Sequence, residues 1–403
     1  MRTAYKCRAY PDPEQASVLS RTFGCVRVVW NRTLAWRQAR YRNGRAGTSY
    51  GQAGAYLTAL KATVEFGWLN AVSSVPLQQA LRHQQAAFTG FFAGRARYPR
   101  YKTRGGRQCA EYTRSGFRYR DGQLLLAKMR LPLAFAWSWP DVDPASLDPS
   151  TVTVSRDPCG RWYVSFTVEM PEPVPLPPAS AVVGVDLGIK DFAVTSDGNK
   201  IANPRSLGRR ERGLARYQRR LARCQKGSSN RAKARAKVAR AHRKVRASRS
   251  DFLHRTSARL VRDHDVIVIE DLAVTNMVRN RSLAKAISDC GWGEFRRMLE
   301  YKAARAGRQL IVTGRFYPSS KTCHACGHLL PELSLSTRAW QCPSCGTRHD
   351  RDINAAKNIL AAGLAVTACG ADVRHSGTSR VRSAVKQEPR PARAAIPTIQ
   401  DGE

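Results

Sequence analysis

Val182-Val-Gly-Val-Asp-Leu-Gly188 carries one acid, Asp186, inside a short apolar run with the composition of a buried strand. A second such run, Val266-Ile-Val-Ile-Glu-Asp-Leu272, ends on Glu270, and a third acid, Asp352, stands in Asp350-Arg-Asp-Ile-Asn-Ala-Ala356. Carboxylates on buried strands and at a helix start are expensive to desolvate, and bound metal is the usual way to neutralise three of them together. Hard oxygen donors select Mg2+ or Mn2+ over zinc.

Outward from Asp186, residues 192–195 and 200–201 read as two further strands about a Ser196-Asp-Gly-Asn199 turn, which makes an antiparallel meander. A helical stretch, the 266–269 strand, a helix through Trp292, Phe295, Met298, Leu299 and Tyr301, a strand at 309–312 and a helix at 352–362 follow. This order predicts an α/β, RNase H-like domain, in which acids of the first strand, a later strand and the last helix converge at one side of the sheet. Such a cluster holds two Mg2+ ions about 4 Å apart, one activating water and one stabilising the leaving 3′ oxygen. Taken singly the acids have duller explanations. Asp186 fits an edge strand or turn, and Asp350 and Asp352 both fit a helix cap, so spacing alone does not choose between those two. Glu270 ends four β-branched residues, where an unpaired carboxylate has no structural merit, and Asp271 points to the opposite strand face.

Between the last two acids lie Cys323-x-x-Cys326 and Cys342-x-x-Cys345, separated by fifteen residues, with Gly327 and Gly346 placed for tight knuckle turns. This is zinc-ribbon spacing. Four thiolates close a tetrahedron, so this Zn2+ is structural and not the catalyst. His324, His328 and His349 are expected to be exposed polar residues rather than ligands, with His349, Arg348 and Arg351 free for weak contact with nucleic acid. The other seven of the eleven cysteines are scattered singly, which is metal usage in a reducing compartment and not a disulfide framework.

The chain of 403 residues has 68 Lys+Arg against 30 Asp+Glu, a formal charge of +38, and 42% hydrophobic residues. It is long enough for two or three packed domains, and its charge calls for a polyanionic partner, most simply nucleic acid. No apolar run approaches the roughly 20 residues that span a bilayer, and the N-terminus lacks an apolar signal core, so no membrane partner and a cytoplasmic, nucleoid-associated location are expected. Composition leaves the oligomeric state open. The most basic region, 206–264, is broken at Lys226-Gly-Ser-Ser-Asn230 and reads as two antiparallel helices. Acids are nearly absent there, so phosphate binding explains the charge better than surface ion pairs.

At the N-terminus a strand at 5–11 precedes a helix at 14–42, with further helices to about Phe92, one of them starting near Pro76. Short strands separated by Asp121-Gly122 and Cys159-Gly160 turns fill 117–168 and predict a small barrel or sheet. Proline dominates 171–178 and reads as an extended linker, and beyond about Ala368 the sequence reads as a disordered tail.

The stretch Gly184-Val-Asp-Leu-Gly-Ile-Lys190, the segment Leu283 to Phe295, and Tyr317-Pro-Ser-Ser-Lys-Thr-Cys323 running through the cysteine pairs into Asp350 to Ile359 together resemble the TnpB (OrfB) proteins of bacterial insertion sequences. Phe91 to Arg100 and Tyr5 to Trp30 resemble them too. The resemblance implies an RNA-guided DNA endonuclease related to type V CRISPR effectors, with guide RNA and target DNA as partners. It implies Asp186, Glu270 and Asp352 as the Mg2+-binding catalytic acids, choosing Asp352 over Asp350. It also implies a wedge β-barrel at 1–20 and 110–178, a helical, helix-turn-helix-like recognition insert at 21–109, a RuvC-like nuclease at 179–315 and 350–367, a zinc ribbon at 316–349, and a tail at 368–403. Readings from other classes stay open at this level: a nuclease-inactive RNA-guided repressor, or a transposase or accessory DNA-binding protein that works without RNA.

Overall fold

The computed structural model describes residues 1–44, 47–334 and 336–368; the expected tail, but for Ala368, lies outside them. By its contacts the chain divides into two compact units: Met1–Pro173 with Arg210–Arg246, and Val174–Arg209 with the described residues from Ala247 onward.

The first unit opens with strand β1 (Arg2–Ala9) and helix α1 (Pro13–Gly44), then α2 (Tyr50–Ala62) and α3 (Ser74–Phe92). Strands β2 (Gln108–Thr113), β3 (Phe117–Arg120), β4 (Gln123–Leu126), β5 (Phe135–Ala136), β6 (Pro149–Arg156) and β7 (Trp162–Glu169) follow. Five of them form an antiparallel sheet in the order β2-β6-β7-β1-β5, and β3-β4 is a separate hairpin. The hairpin turns on Asp121 and Gly122, both at positive φ, the conformation that matches strand twist. Strand β7 alternates strictly, burying Trp162, Val164, Phe166 and Val168. Trp162, Val164 and Phe166 join Leu19, Phe23, Val26 and Val29 of α1 and Leu77 and Leu81 of α3 in one core, while Val168 packs with Tyr5 and Leu147. A fully buried Phe166 contributes about 2–3 kcal/mol by the area it removes from water.

The proline-rich segment and the residues after it, 171–181, have no regular structure, yet the segment is not a free spacer. Asp265 accepts hydrogen bonds from the N–H groups of Ala179 at 2.9 Å and Ser180 at 2.7 Å, and Arg308 donates to Pro177 O at 2.6 Å. Arg308 also pairs with Asp265, so a buried guanidinium helps hold the last residues of the segment.

The second unit begins with β8 (Val182–Leu187), β9 (Asp191–Thr195) and β10 (Lys200–Ala202). The basic stretch forms α4 (Glu211–Arg223) and α5 (Ser229–Asp263), and its residues 210–246 group with the first unit rather than with the strands around them in sequence. Arg231 at the start of α5 donates to Leu221 O and Cys224 O, closing the free carbonyls at the end of α4. Then come β11 (Val266–Glu270), α6 (Val274–Met277), α7 (Ala284–Cys290), α8 (Trp292–Ala306), β12 (Gln309–Thr313), the short pair β13 (Ala339–Gln341) and β14 (Arg348–Asp350), and α9 (Arg351–Ala368).

The central sheet has the order β10-β9-β8-β11-β12, with β8, β11 and β12 parallel and the meander antiparallel. Side chains alternate across it. Val183, Val185, Ile267 and Ile269 pack against Phe295, Leu299 and Leu253 on one face. On the other, Val268 and Ile311 meet Ile359 of α9. Gly184 permits the close approach there, because a Cβ at Gly184 would lie 2.1 Å from Ala356 O and 2.8 Å from Leu360 Cβ.

Candidate active site and zinc knuckle

Val185 and Ile269 are the last registered partners of the parallel pair β8–β11. Asp186 and Glu270, one residue further on each strand, therefore stand side by side at the strand ends. Period-two alternation puts them on the face of Gly184 and Val268, which is the face α9 covers. Asp352 precedes Ala356 by one helical turn, and Ala356 sits over Gly184, so the start of α9 hangs over the same strand ends.

The oxygens of these three acids do not gather as closely as the sulfurs of the four paired cysteines, but their charges are felt at Asp186. The Asp186 carboxyl is pushed up to about 7, first by burial and then by the negative charges of Asp352 and Glu270; the Arg351 charge and the Leu187 N–H oppose this without restoring it. Glu270 is raised as well, by burial and by Asp271. Arg338 Nη1 lies 3.8 Å from Asp352 Oδ1.

The two acids beside these are engaged elsewhere. Asp271 pairs with Arg296 and Arg315, each at 2.6 Å; burial alone would raise its carboxyl, and the two guanidiniums bring it below the usual range. Asp350 Oδ1 accepts from the N–H groups of Asp352 and Ile353, and its Oδ2 is 2.6 Å from Lys200 Nζ. Burial would raise Asp350 too, but Lys200 and the capping N–H groups hold it low. Asp350 thus caps the helix, and Asp352 is the one whose charge Asp186 feels.

Among the described residues, Cys323, Cys326, Cys342 and Cys345 are the group of three or more His, Cys, Asp or Glu residues whose donor atoms gather, all within 4.8 Å of one another. Cys323 Sγ is 3.7 Å from Cys345 Sγ, and Cys326 Sγ is 3.6 Å from Cys342 Sγ. A tetrahedral ion with Zn–S bonds of about 2.3 Å needs sulfurs roughly 3.8 Å apart, so the donor set fits Zn2+. Both knuckles are alike: Gly327 N donates to Cys323 O and Gly346 N to Cys342 O, with each glycine at positive φ.

Expectation fails at His349, which is buried and not exposed. The β13–β14 register sets it opposite Trp340, their rings 4.7 Å apart, and its Nε2 lies 3.0 Å from Cys323 Sγ. Its Nε2 sits where an N–H can donate to a thiolate. His324 is exposed and His328 partly so. The sequence reading also missed Asn354 and Asn358, buried on α9. Both donate to Ser319 O and Thr322 O, and Asn354 Oδ1 accepts from His324 N. Buried asparagines at i, i+4 on an otherwise apolar helix face were the available signal.

The family model described as "Probable transposase" (OrfB of IS605 elements) matches residues 165–281, the Cas12f1-like TNB domain matches 292–359, and a helix-turn-helix domain matches 1–46. In this chain the described part of that last segment is strand β1 followed by a single helix, α1. A Streptomyces pristinaespiralis protein named "Putative RNA-guided DNA endonuclease" is 52% identical over 99% of both chains. The Escherichia coli K12 protein of the same description, InsQ, is 35% identical over 96% of this chain and 97% of its own. The chain belongs to the IS605 OrfB (TnpB) family. Its fold is shared with a Cas12f1 chain solved in complex with sgRNA and target DNA, at TM-score 0.56 and 14% identity over 87% of this chain and 83% of that one.

Proposed function

We propose that this protein is an RNA-guided DNA endonuclease that hydrolyses phosphodiester bonds at one RuvC-like site built from Asp186, Glu270 and Asp352. One observation carries the site: the β8–β11 register sets Asp186 beside Glu270 at the strand ends, on the face that the start of α9 covers, where burial and the charges of Asp352 and Glu270 raise the Asp186 carboxyl. Full-length relatives that bear the endonuclease name supply the reaction and the nucleic-acid partners.

The donor chemistry fits hard divalent cations, because three converging carboxylates cannot all ionise cheaply without one. When bound, Mg2+ would supply charge neutralisation and an activated water. The chain's own part is to hold Asp186 and Glu270 on rigid parallel strands, to fix Asp352 through the Asp350 cap, and to keep Asp271 out of the cluster by pairing it with two arginines. The four cysteines would hold structural Zn2+.

On this reading the sheet at 1–20 and 110–178 is the wedge and 21–109 the recognition segment. Residues 179–315 and 350–367 form the nuclease, and 316–349 the zinc ribbon. The guide then supplies sequence by base pairing while the basic surface holds shape and backbone. Among the described residues no helix is long and apolar enough to cross a membrane.

Sequencing of RNA that copurifies with the protein, followed by plasmid cleavage with a matched target, Mg2+ and an Asp186→Ala control, tests the proposal. A defined RNA with Asp186-dependent cutting is expected. A defined RNA without cutting across a range of target-adjacent motifs returns the protein to a repressor, and no specific RNA returns it to a direct DNA binder.

A further inference from the structure

A cavity of about 340 Å³ opens in the first unit between α1, the loop after α3 and strands β2 and β6 of the large sheet. Five cations line it: Arg27 on α1, Lys102, Arg104 and Arg107 on the loop, and Arg156 at the end of β6. No carboxylate is among its lining residues, while Phe23 and Val26 give it an apolar floor. Five like charges around one concavity repel each other, so the arrangement gains most from an anion that enters it.

Two of the cations are fixed in advance. Lys102 is docked by its backbone, with its N–H donating to Asn31 Oδ1 at 2.8 Å and its carbonyl accepting from Asn31 Nδ2 at 2.9 Å. Its ammonium sits 4.2 Å from the Trp30 ring centroid. Burial pushes that ammonium below its usual pKa, a penalty that a bound anion would relieve. The Arg156 guanidinium lies over Trp162, 5.1 Å from the ring centroid. Cations held this way lose little freedom when a ligand arrives.

The size decides what fits. The volume is at the small end of small-ligand pockets, room for about one nucleotide and too little for a duplex. We infer that this cavity is a binding site for the phosphodiester backbone of a single nucleic-acid strand, seating one kinked or everted nucleotide with its phosphate among Arg27, Lys102, Arg104, Arg107 and Arg156. The site lies far along the chain from the acids of β8, β11 and α9 and serves grip, not cleavage. The inference rests on the proposed nucleic-acid function and names a specific contact within it.

Cys109, a half-buried residue of the same lining, is a built-in reporter, and Cys159, also half-buried and outside the lining, is its internal control. Iodoacetamide labelling of each thiol is followed by mass spectrometry in full-length protein stripped of nucleic acid, with its copurified RNA, and with RNA plus target DNA. Cys109 should be protected at least fivefold in one or both complexes while Cys159 keeps its rate. Protection by RNA alone identifies the guide as occupant, and protection only on target addition identifies DNA.

The second measurement is the salt dependence of binding by an Arg104→Glu/Arg107→Glu double variant. It should flatten the log K against log salt slope by about two and abolish the protection. An Arg118→Glu/Arg120→Glu variant on the β3–β4 hairpin should leave the protection in place. A mobility shift showing tight RNA binding, with Cys109 labelling and the salt slope both unchanged, would overturn the pocket and leave the proposed function standing. No nucleic-acid binding at all would overturn both.

Discussion

Asn358 Nδ2 donates to Thr322 O at 2.6 Å, which ties the residue before the first zinc-knuckle cysteine to the helix that carries Asp352. Asn354 donates to the same carbonyl at 2.7 Å and accepts from the N–H of His324 on the other side of Cys323. The zinc module and the third acid therefore share one mechanical support. Arg351 adds to it, donating to Ser334 O at 2.7 Å.

Removing zinc should accordingly be felt at the acids. With Cys342→Ser, or after chelation, the knuckle loses its closure, the acceptors of Asn354 and Asn358 are released, and the start of α9 should loosen. Elemental analysis should show loss of zinc, and hydrogen exchange should rise across residues 351–358, with cleavage lost in parallel. Loss of zinc with unchanged exchange in that segment would mean the two elements are independent. Asn358→Ala should retain zinc at neutral pH yet lower stability by about 1 kcal/mol, since the Ser319 and Thr322 carbonyls each lose one donor while Asn354 still donates to both.

Asp186 gives a pH signature. Its carboxyl is about 7 in the folded protein against 3.8 for the free group, so the folded state holds the proton more tightly than the unfolded chain. The sign follows: stability falls as pH rises from about 4 to about 7, and the penalty is complete above that, with a ceiling of roughly 4 kcal/mol before relaxation and screening reduce it. Asp186→Asn should raise Tm at pH 8 in chelator-containing buffer, lose that advantage below pH 4, and abolish cutting. Equal Tm values for the two proteins at pH 8 would refute the charge crowding.

Asp350 and Asp352 should separate in the opposite sense. Asp350 is held low by Lys200 and by two backbone N–H groups, so it stabilises the fold above the free carboxyl value, and that contribution is lost as pH falls through its depressed value. Asp350→Asn should cost about 1 kcal/mol or less, because the pair is over a third exposed, and should retain substantial cleavage. Asp352→Asn should leave stability unchanged or raised and eliminate cleavage. Thermal melts and single-turnover plasmid cutting on the two variants decide it; loss of cutting in both would leave the choice unmade by geometry.

Local chemistry made part of this protein legible without coordinates. Four β-branched residues before Glu270 specify a strand, and two Cys-x-x-Cys pairs each followed by glycine specify a knuckle, because in both cases the cause lies within a few residues. What stayed hidden depends on partners distant in sequence. Asp350 and Asp352 both suit a helix start, and Lys200, 150 residues away, separates them. His349 looks like a surface residue until the β13–β14 register sets it against Trp340. The 171–178 prolines read as a spacer, and the Asp265–Arg308 clamp that straps their end is formed by residues with no local pattern linking them to it.

Gly184 and Gly363 provide a paired test of how α9 positions the site. A Cβ at Gly184 would lie 2.1 Å from Ala356 O, while one at Gly363 would lie 2.4 Å from Val268 Cγ1. Both substitutions overpack the same helix–sheet contact and should cost about 1–3 kcal/mol each. Their effects on cutting should differ. Gly184 meets helix backbone one turn after Asp352, so relief requires moving the stretch that aims that acid. Gly363 meets a valine side chain three turns from it, and the helix can pivot there with its start still capped by Asp350. Gly184→Ala should therefore reduce single-turnover cleavage at least tenfold more than Gly363→Ala at matched folded fraction. Equal losses would mean that α9 moves as a rigid rod and that the Asp350 cap does not hold its start in place.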